Sequence, residues 1–240
     1  MTPAFRHMGG KARLRKWLVG HFPSEGNIYL EPFAGKGNVF YEARQRLRFQ
    51  QWVLNDIDTR FLRALDWADL TMLPNTVERS DFDQWKNSKS HIAVLIEPRI
   101  TYAGKGYKYG YSGSSGTHVG YDGRRYRETC RTARGLIKDA QITTQHWEDS
   151  LNQATPDFAY FDPPYFNTSA SYVNIDHQRL IEVLNSANFS WALSGYCNHL
   201  YDARLDFRCR FEYERNSEIK SSNSGKREAV IETLWTNYEL

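Results

Sequence analysis

The sequence predicts an α/β protein built on a mostly parallel sheet, and three observations carry that expectation. Strand and helix patterns alternate from Asn27 to the helix that starts near Thr59. The same alternation resumes at Gln141, after a long polar stretch. Two β-rich segments then follow one another at residues 207–213 and 229–235, where they can pair as an antiparallel edge. Alternating strands and helices are the mark of a parallel sheet with helices on its faces.

Each element has a local reason. In Lys11 to Phe22, Leu14, Trp17, Leu18 and Phe22 fall near helical spacing, and Pro23 ends the pattern. Residues 27–32 read as a short strand that runs into Phe33-Ala34-Gly35-Lys36-Gly37-Asn38, with a helix from about Val39 to Leu47. Gln51 to Leu54 is a second strand, ending in Asn55-Asp56-Ile57-Asp58 before the Thr59 helix. Residues 74–139 are polar, and 104–123 are rich in Gly, Tyr and Ser, so loops or a hairpin are expected there. Strands follow at 141–144, 158–161 and 190–194, with a helix over 176–185 that Asp176 is expected to cap. The polar stretch 214–226 reads as a linker between the two late strands.

Composition narrows the class. With 40% hydrophobic and 25% charged residues the chain has the make-up of a globular protein, and no apolar run approaches the roughly 20 residues of a membrane span. Residues 1–16 lack the apolar stretch and cleavage site of a secretory signal. Cys130, Cys197 and Cys209 are odd in number and lack metal-type spacing, which suits free thiols in a cytoplasmic, reducing compartment. Charge is unevenly spread. Residues 99–138 hold nine Lys/Arg against two acids, a local +7 that leaves −4 on the rest of a chain whose total is +3. Charge runs are commonly solvated loops. The six tyrosines interleaved there (102, 107, 109, 111, 121 and 126) favour a nucleic-acid surface instead.

Two motifs carry chemistry. Gly35 and Gly37, between strand and helix, allow backbone N–H groups to approach a ligand. Asp56 stands 21 positions after Gly35 at the end of the next strand, where an acid accepts hydrogen bonds from ribose hydroxyls. A helix cap is the competing role for this acid, and Asp58 fits it better. The second motif is Asp162-Pro163-Pro164-Tyr165, directly after an apolar strand. An adenine amine is a poor nucleophile because its lone pair is delocalised into the ring. A carboxylate and a carbonyl accepting its two hydrogens would localise that pair. Two prolines fix the backbone, and an aromatic ring can stack on an extruded base.

In order and combination these pieces resemble the DNA adenine-N6 methyltransferase family with a DPPY motif and a recognition insert. They read His7-Met8-Gly9-Gly10-Lys11, Glu31 to Asn38, Asn55 to Asp58, Asp162 to Tyr165, and a closing strand within Arg227 to Tyr238. The resemblance covers residues 3–60 and 140–240. It implies a Rossmann-like S-adenosylmethionine-dependent methyltransferase sheet, with residues 1–60 and 140–240 as the catalytic domain and 61–139 as an inserted target-recognition region. His7, Lys11, Phe33, Ala34, Gly35, Gly37, Asn38, Asp56, Trp147 and Asp162 then fall at positions that hold the donor. Asp162, Pro163, Pro164 and Tyr165 fall at positions that hold the target adenine, and Tyr172 lines the same pocket. Lys105, Lys108, Arg124, Arg125 and Arg127 are the expected contacts to DNA, the one implied partner.

The chain also departs from the family pattern. His7 replaces a frequent tyrosine, His146 stands at a frequently acidic position, and the insert lacks an Asn- and Phe-containing hairpin, which points to relaxed or unusual sequence specificity. An RNA adenine, another amino group, or a non-catalytic DNA-binding role are the alternative readings.

Overall fold

The computed structural model describes residues 2–6, 11–104, 106–113, 118, 120–165, 175–220 and 227–239. His7, Lys105, Tyr172 and residues 221–226 lie outside the described residues.

The chain opens with α1 (Arg15–Val19) and β1 (Glu25–Glu31), followed by α2 (Phe40–Arg46), β2 (Arg48–Asn55) and α3 (Arg60–Trp67). Next come α4 (Arg79–Trp85), α5 (His91–Ile100) and α6 (Gly123–Ile137). The second half runs β3 (Gln141–Thr143), α7 (Trp147–Ala154), β4 (Phe158–Phe161), α8 (His177–Asn185), β5 (Ser190–Tyr196) and α9 (His199–Arg204). It closes with β6 (Cys209–Lys220) and β7 (Arg227–Thr236). Among the described residues, no helix is long and apolar enough to cross a membrane.

The strands form one sheet in the order β3-β2-β1-β4-β5-β7-β6. The first five are mutually parallel, β7 runs antiparallel to β5, and β6 antiparallel to β7. This is the α/β sheet with an antiparallel C-terminal edge that the strand pattern predicted, in the Rossmann-like form that the resemblance implied. Alternation along each strand explains the layering, because successive side chains point to opposite faces. Tyr29, Leu54, Phe158, Tyr160 and Ala192 enter a core under α1, α2, α3, α5 and α6. Leu30, Val53, Ala159, Phe161, Trp191 and Leu193 enter the opposite core under α7, α8 and α9. Parallel strands covered on both faces are apolar throughout, and β4 (Phe-Ala-Tyr-Phe) is wholly buried.

Between residues 74 and 139 the structure corrects part of the expectation of loops or a hairpin. Helices α4, α5 and α6 occupy 79–85, 91–100 and 123–137. The described residues between α5 and α6 are loop with two short 3-10 turns and one antiparallel bridge, Thr101↔Tyr111. Ala93, Leu95, Ile96 and Ile100 of α5 are all fully buried, and the partly buried Ile92 and Val94 are apolar too, so little polar alternation reveals its period. Ser90 caps it by accepting from the Ala93 N–H at 3.2 Å. In α6 the inward residues Tyr126, Cys130, Ala133 and Ile137 do follow helical spacing, inside an Arg- and Gly-rich composition. These helices share the core of α2 and α3 rather than forming a separate one. Near the C-terminus, β6 extends to Lys220, so residues 214–220 are strand and not linker. The cap at Asp176 is as expected: its Oδ1 accepts from Gln178 N and Arg179 N, both at 3.0 Å.

Gly123 starts α6 against the backbone of Pro74 and Asn75, in the segment ahead of α4. A Cβ added there would stand 1.9 Å from the Pro74 carbonyl oxygen and 2.7 Å from Asn75 Cα. Neither atom can rotate away. Gly123→Ala should therefore lower stability by about 1–3 kcal/mol, read from the urea midpoint at constant m-value. An unchanged midpoint would contradict the seating of α6.

Candidate active site at the carboxyl ends of the strands

In open parallel sheets, ligands bind beyond the carboxyl ends of the strands, where the strand order reverses direction. Here that point lies between β1 and β4. The chain leaves β1 at Glu31 and β4 just before Asp162, so both carboxylates arrive at the same place.

Asp162 is held by two donors. Lys11 Nζ donates to its Oδ1 at 2.6 Å, and Ser194 Oγ of β5 donates to the same oxygen at 3.0 Å. Lys11 is 3% exposed, so this pair is shielded, and removing either partner leaves a costly bare charge. Burial raises the Asp162 pKa, and Lys11 opposes the rise. The Lys11 ammonium also sits 4.5 Å from the centroid of the Tyr165 ring. Burial pushes the Tyr165 hydroxyl well above its usual range, so it stays protonated and donates to Glu232 Oε2 of β7 at 2.8 Å. Tyr196 packs edge-on to the same ring, 4.5 Å between centroids. Beside these rings opens a cleft of about 390 Å³, lined among others by Pro163, Tyr165, Ser194, Tyr196, Asn198 and Tyr201.

Glu31 is a second buried carboxyl, 2% exposed, accepting from the Tyr29 hydroxyl at 2.7 Å. Burial is the main cause that raises it to about 8; the Tyr29 hydrogen bond opposes this and the Asp162 charge adds to it.

The glycine loop is a tight turn locked to the end of β2. Ala34 N donates to the Asn55 carbonyl at 2.8 Å, and Gly35 N donates to Asp56 Oδ2 at 2.7 Å. Asp56 Oδ1 also accepts from Asp58 N at 2.9 Å. The turn needs left-handed backbone at Gly35 (φ 54°) and Gly37 (φ 73°). At Gly37 the space left by the missing side chain is filled by Tyr41, whose ring would stand 3.1 Å from an added Cβ. The N-cap of α3 is Thr59, which makes no side-chain cap hydrogen bond, so Asp58 is not the cap expected of it; one residue earlier, it accepts from Arg60 N at 3.2 Å.

Several expected site residues have other employment. Asn38, expected at the donor pocket, spends its side chain on Phe5: Oδ1 accepts from Phe5 N and Nδ2 donates to Phe5 O, both at 2.9 Å. Trp147 is 5% exposed and packs in the core, with its ring 6.0 Å from that of the half-buried Phe33. Arg127, expected on DNA, donates to the Leu73 carbonyl and Asn75 Oδ1. Arg134 likewise holds the Leu65 carbonyl at 2.7 Å. Tyr107 and Tyr121 donate to the Ala93 and Pro74 carbonyls at 2.8 and 3.1 Å, and Tyr126 to that of Leu95. Lys108, Arg124 and Arg125 remain exposed, as do Tyr102 and Tyr109. Sequence reasoning missed Glu31, Ser194, Tyr196, Glu232 and the 65%-exposed Ile57 beside Asp56. Ile57, an apolar residue between two acids at a strand end, was a readable signal. Glu232 was not, because only strand pairing carries it to Tyr165.

This sheet, with acidic side chains gathered at its switch point, has an α/β, Rossmann-like architecture. Residues 7–66 match the model of the D12 class N6 adenine-specific DNA methyltransferase family, bearing out the resemblance drawn from the motifs. The chain is similar to the modification methylase StsI of Streptococcus sanguinis, 23% identical over 97% of this chain and 42% of that protein. It is also similar to the type II methyltransferase M.FokI of Planomicrobium okeanokoites, 22% identical with the same two coverages. The chain thus spans about two fifths of the length of these relatives. Among solved structures, an rRNA methylase from Streptococcus thermophilus superposes with a TM-score of 0.43 at 10% identity, covering 94% of this chain and 96% of that one.

Glu31 gives a pH prediction. Its carboxyl has a folded pKa near 8 against an unfolded value near 4.5. Between those values the folded protein keeps a proton that the unfolded chain has lost, so stability falls as pH rises through this window. Glu31→Gln should remove that component. Urea unfolding from pH 5 to 9 should show the wild type losing stability relative to Glu31→Gln up to about pH 8 and no further. A difference independent of pH would contradict a protonated Glu31.

Proposed function

We propose that the chain is an S-adenosylmethionine-dependent methyltransferase acting on the exocyclic amine of adenine in DNA. The observation that carries this reading is the clamping of Asp162 through one oxygen. Both donors, Lys11 and Ser194, meet Oδ1, which leaves Oδ2 to accept from a substrate amine beside the Tyr165 ring. The family match and the names of the relatives point the same way.

The residues present fit the donor. A free amino acid end carries one positive and one negative charge; Lys11 and Asp162 offer buried charges of both signs at the switch point, and Glu31 adds a protonated carboxyl as a neutral polar group. Asp56 keeps lone pairs for ribose hydroxyls beyond its two backbone bonds, since a carboxylate has about four acceptor sites. Ile57 offers an exposed apolar face at the same strand end for a nucleoside base. When bound, S-adenosylmethionine supplies an electrophilic methyl group on a sulfonium.

The chain's own residues do the rest by orientation. Asp162 Oδ2 and the Pro163 carbonyl accept the two amine hydrogens and turn the nitrogen lone pair outward. Tyr165 stacks on the extruded base, with its tilt fixed by Glu232 and Lys11. Tyr196, at the mouth of the cleft, supplies a second aromatic wall. The exposed Lys108, Arg124 and Arg125 contact phosphates with little reading of base edges, which gives relaxed or unusual specificity.

Asp162→Asn keeps the side-chain shape and removes the charge. It should lower tritium transfer from labelled S-adenosylmethionine to duplex DNA by about 10²–10³-fold, while calorimetry still records donor binding. Wild-type transfer by Asp162→Asn would remove Asp162 from the chemistry. Parallel assays on single-stranded DNA and RNA should show lower transfer than on duplex DNA; a preference for RNA would reassign the substrate.

A further inference from the structure

The wall of the cleft beside Tyr165 carries several polar side chains, and most of them are already engaged. Ser194 donates to Asp162, and the Tyr165 hydroxyl donates to Glu232. The Tyr201 hydroxyl lies 2.5 Å from His177 Nδ1. The Cys197 sulfur accepts from Arg210 Nη2 at 3.3 Å. Asn198 differs from these. It lines the cleft together with Pro163 and Tyr165, it is half-buried, and only one end of its amide is occupied. Its Oδ1 accepts from Leu200 N at 2.9 Å. A backbone N–H can only donate, so the amide oxygen must lie on that side and Nδ2 on the other. Among the described residues, Asn198 Nδ2 has no hydrogen-bond partner.

The loop that carries this donor is braced from several sides. The Asn198 carbonyl accepts from Asp202 N at 3.0 Å. Asp202 Oδ1 in turn accepts from Arg210 Nε at 2.9 Å and from Trp235 Nε1 at 2.8 Å. Strands β6 and β7 therefore hold α9 and the residue before it in place. A donor fixed in this way loses little freedom when it meets an acceptor. The cleft it faces, about 390 Å³, is wide enough for a purine.

We propose that Asn198 is a base-binding residue whose Nδ2–H donates to a ring nitrogen of the extruded adenine. The assignment deepens the reading of the chain as an adenine methyltransferase and rests on it. In that reading the amine hydrogens go to Asp162 and the Pro163 carbonyl, and Tyr165 covers one face of the base. The ring nitrogens N1, N3 and N7 still carry lone pairs in the plane of the base. Carboxylates and carbonyls repel those lone pairs, whereas an amide N–H satisfies one of them. A base held by its amine alone can pivot about that amine. A second anchor on the ring stops the pivot and keeps the amine nitrogen in line with the methyl group.

The test crosses two variants of the full chain with three altered bases. Asn198→Asp keeps an oxygen to accept from Leu200 N, and Asn198→Gly is the mildest neutral replacement at a cap. Both remove the amide N–H. Methyl transfer is measured as kcat/KM on duplexes with adenine, 1-deazaadenine, 3-deazaadenine or 7-deazaadenine at the methylated position. Each analogue exchanges one ring nitrogen for C–H. Changes in the intrinsic reactivity of the amine affect all three proteins alike, so the difference between proteins isolates the contact. With one of the analogues the wild type should lose about 10–100-fold more activity than either variant does. On unmodified adenine both variants should fall below the wild type by a similar factor, a split that weakened capping alone would not make specific to one analogue. Equal losses in wild type and variants with all three analogues would overturn the role of Asn198 while leaving adenine methylation intact. A wild type that fails to methylate unmodified adenine would instead overturn the parent reading, and this assignment with it.

Discussion

The buried pair between Lys11 and Asp162 is the constraint on which the arrangement of the site depends. It joins a residue that precedes the first helix to one that follows the fourth strand, 151 positions apart. Both are largely removed from water, so neither can be left alone without a cost of about 3–5 kcal/mol. The pair fixes which carboxylate oxygen is occupied and which stays available. Lys11 also fixes one side of the Tyr165 ring. The N-terminal segment thereby becomes part of the site wall, seated further by the hydrogen bonds of Asn38 to Phe5.

Around that pair, the sheet does the positioning. Parallel β1 and β4 deliver two acids to one point, β5 delivers Ser194, and β7 delivers Glu232. The antiparallel edge therefore contributes directly: Glu232 reaches Tyr165 because β7 pairs with β5 in the register Tyr196↔Glu232. Two buried carboxyls at one pole would repel if both were ionised. The structure resolves this by giving Asp162 a cation and giving Glu31 a proton well into the neutral range.

Much of this scaffold was legible in the sequence, for reasons that are physical. Strands buried on both faces must be apolar throughout, as Phe158–Phe161 is, and a tight turn needs glycine where φ is positive, as at Gly35 and Gly37. The acid after β2 and the motif after β4 follow from the architecture. The insert was less legible. A helix apolar on most of its positions, such as α5, carries little periodic signature, and residues read as a nucleic-acid surface hold backbone carbonyls. Arg127, Arg134, Tyr107, Tyr121 and Tyr126 satisfy backbone carbonyls of neighbouring segments. Composition alone cannot separate an arginine that grips a carbonyl from one that faces a phosphate. Glu232 and Ser194 were hidden for another reason, since only three-dimensional pairing brings them to the motif.

The central claim is that this site methylates the amine of an adenine. The most direct measurement is nucleoside mass spectrometry of duplex DNA incubated with the purified chain and S-adenosylmethionine. N6-methyldeoxyadenosine should accumulate with time while the other three nucleosides remain unmodified. Methylation confined to a different nucleoside, or intact adenines in the presence of a chain that demonstrably binds both donor and duplex, would contradict it.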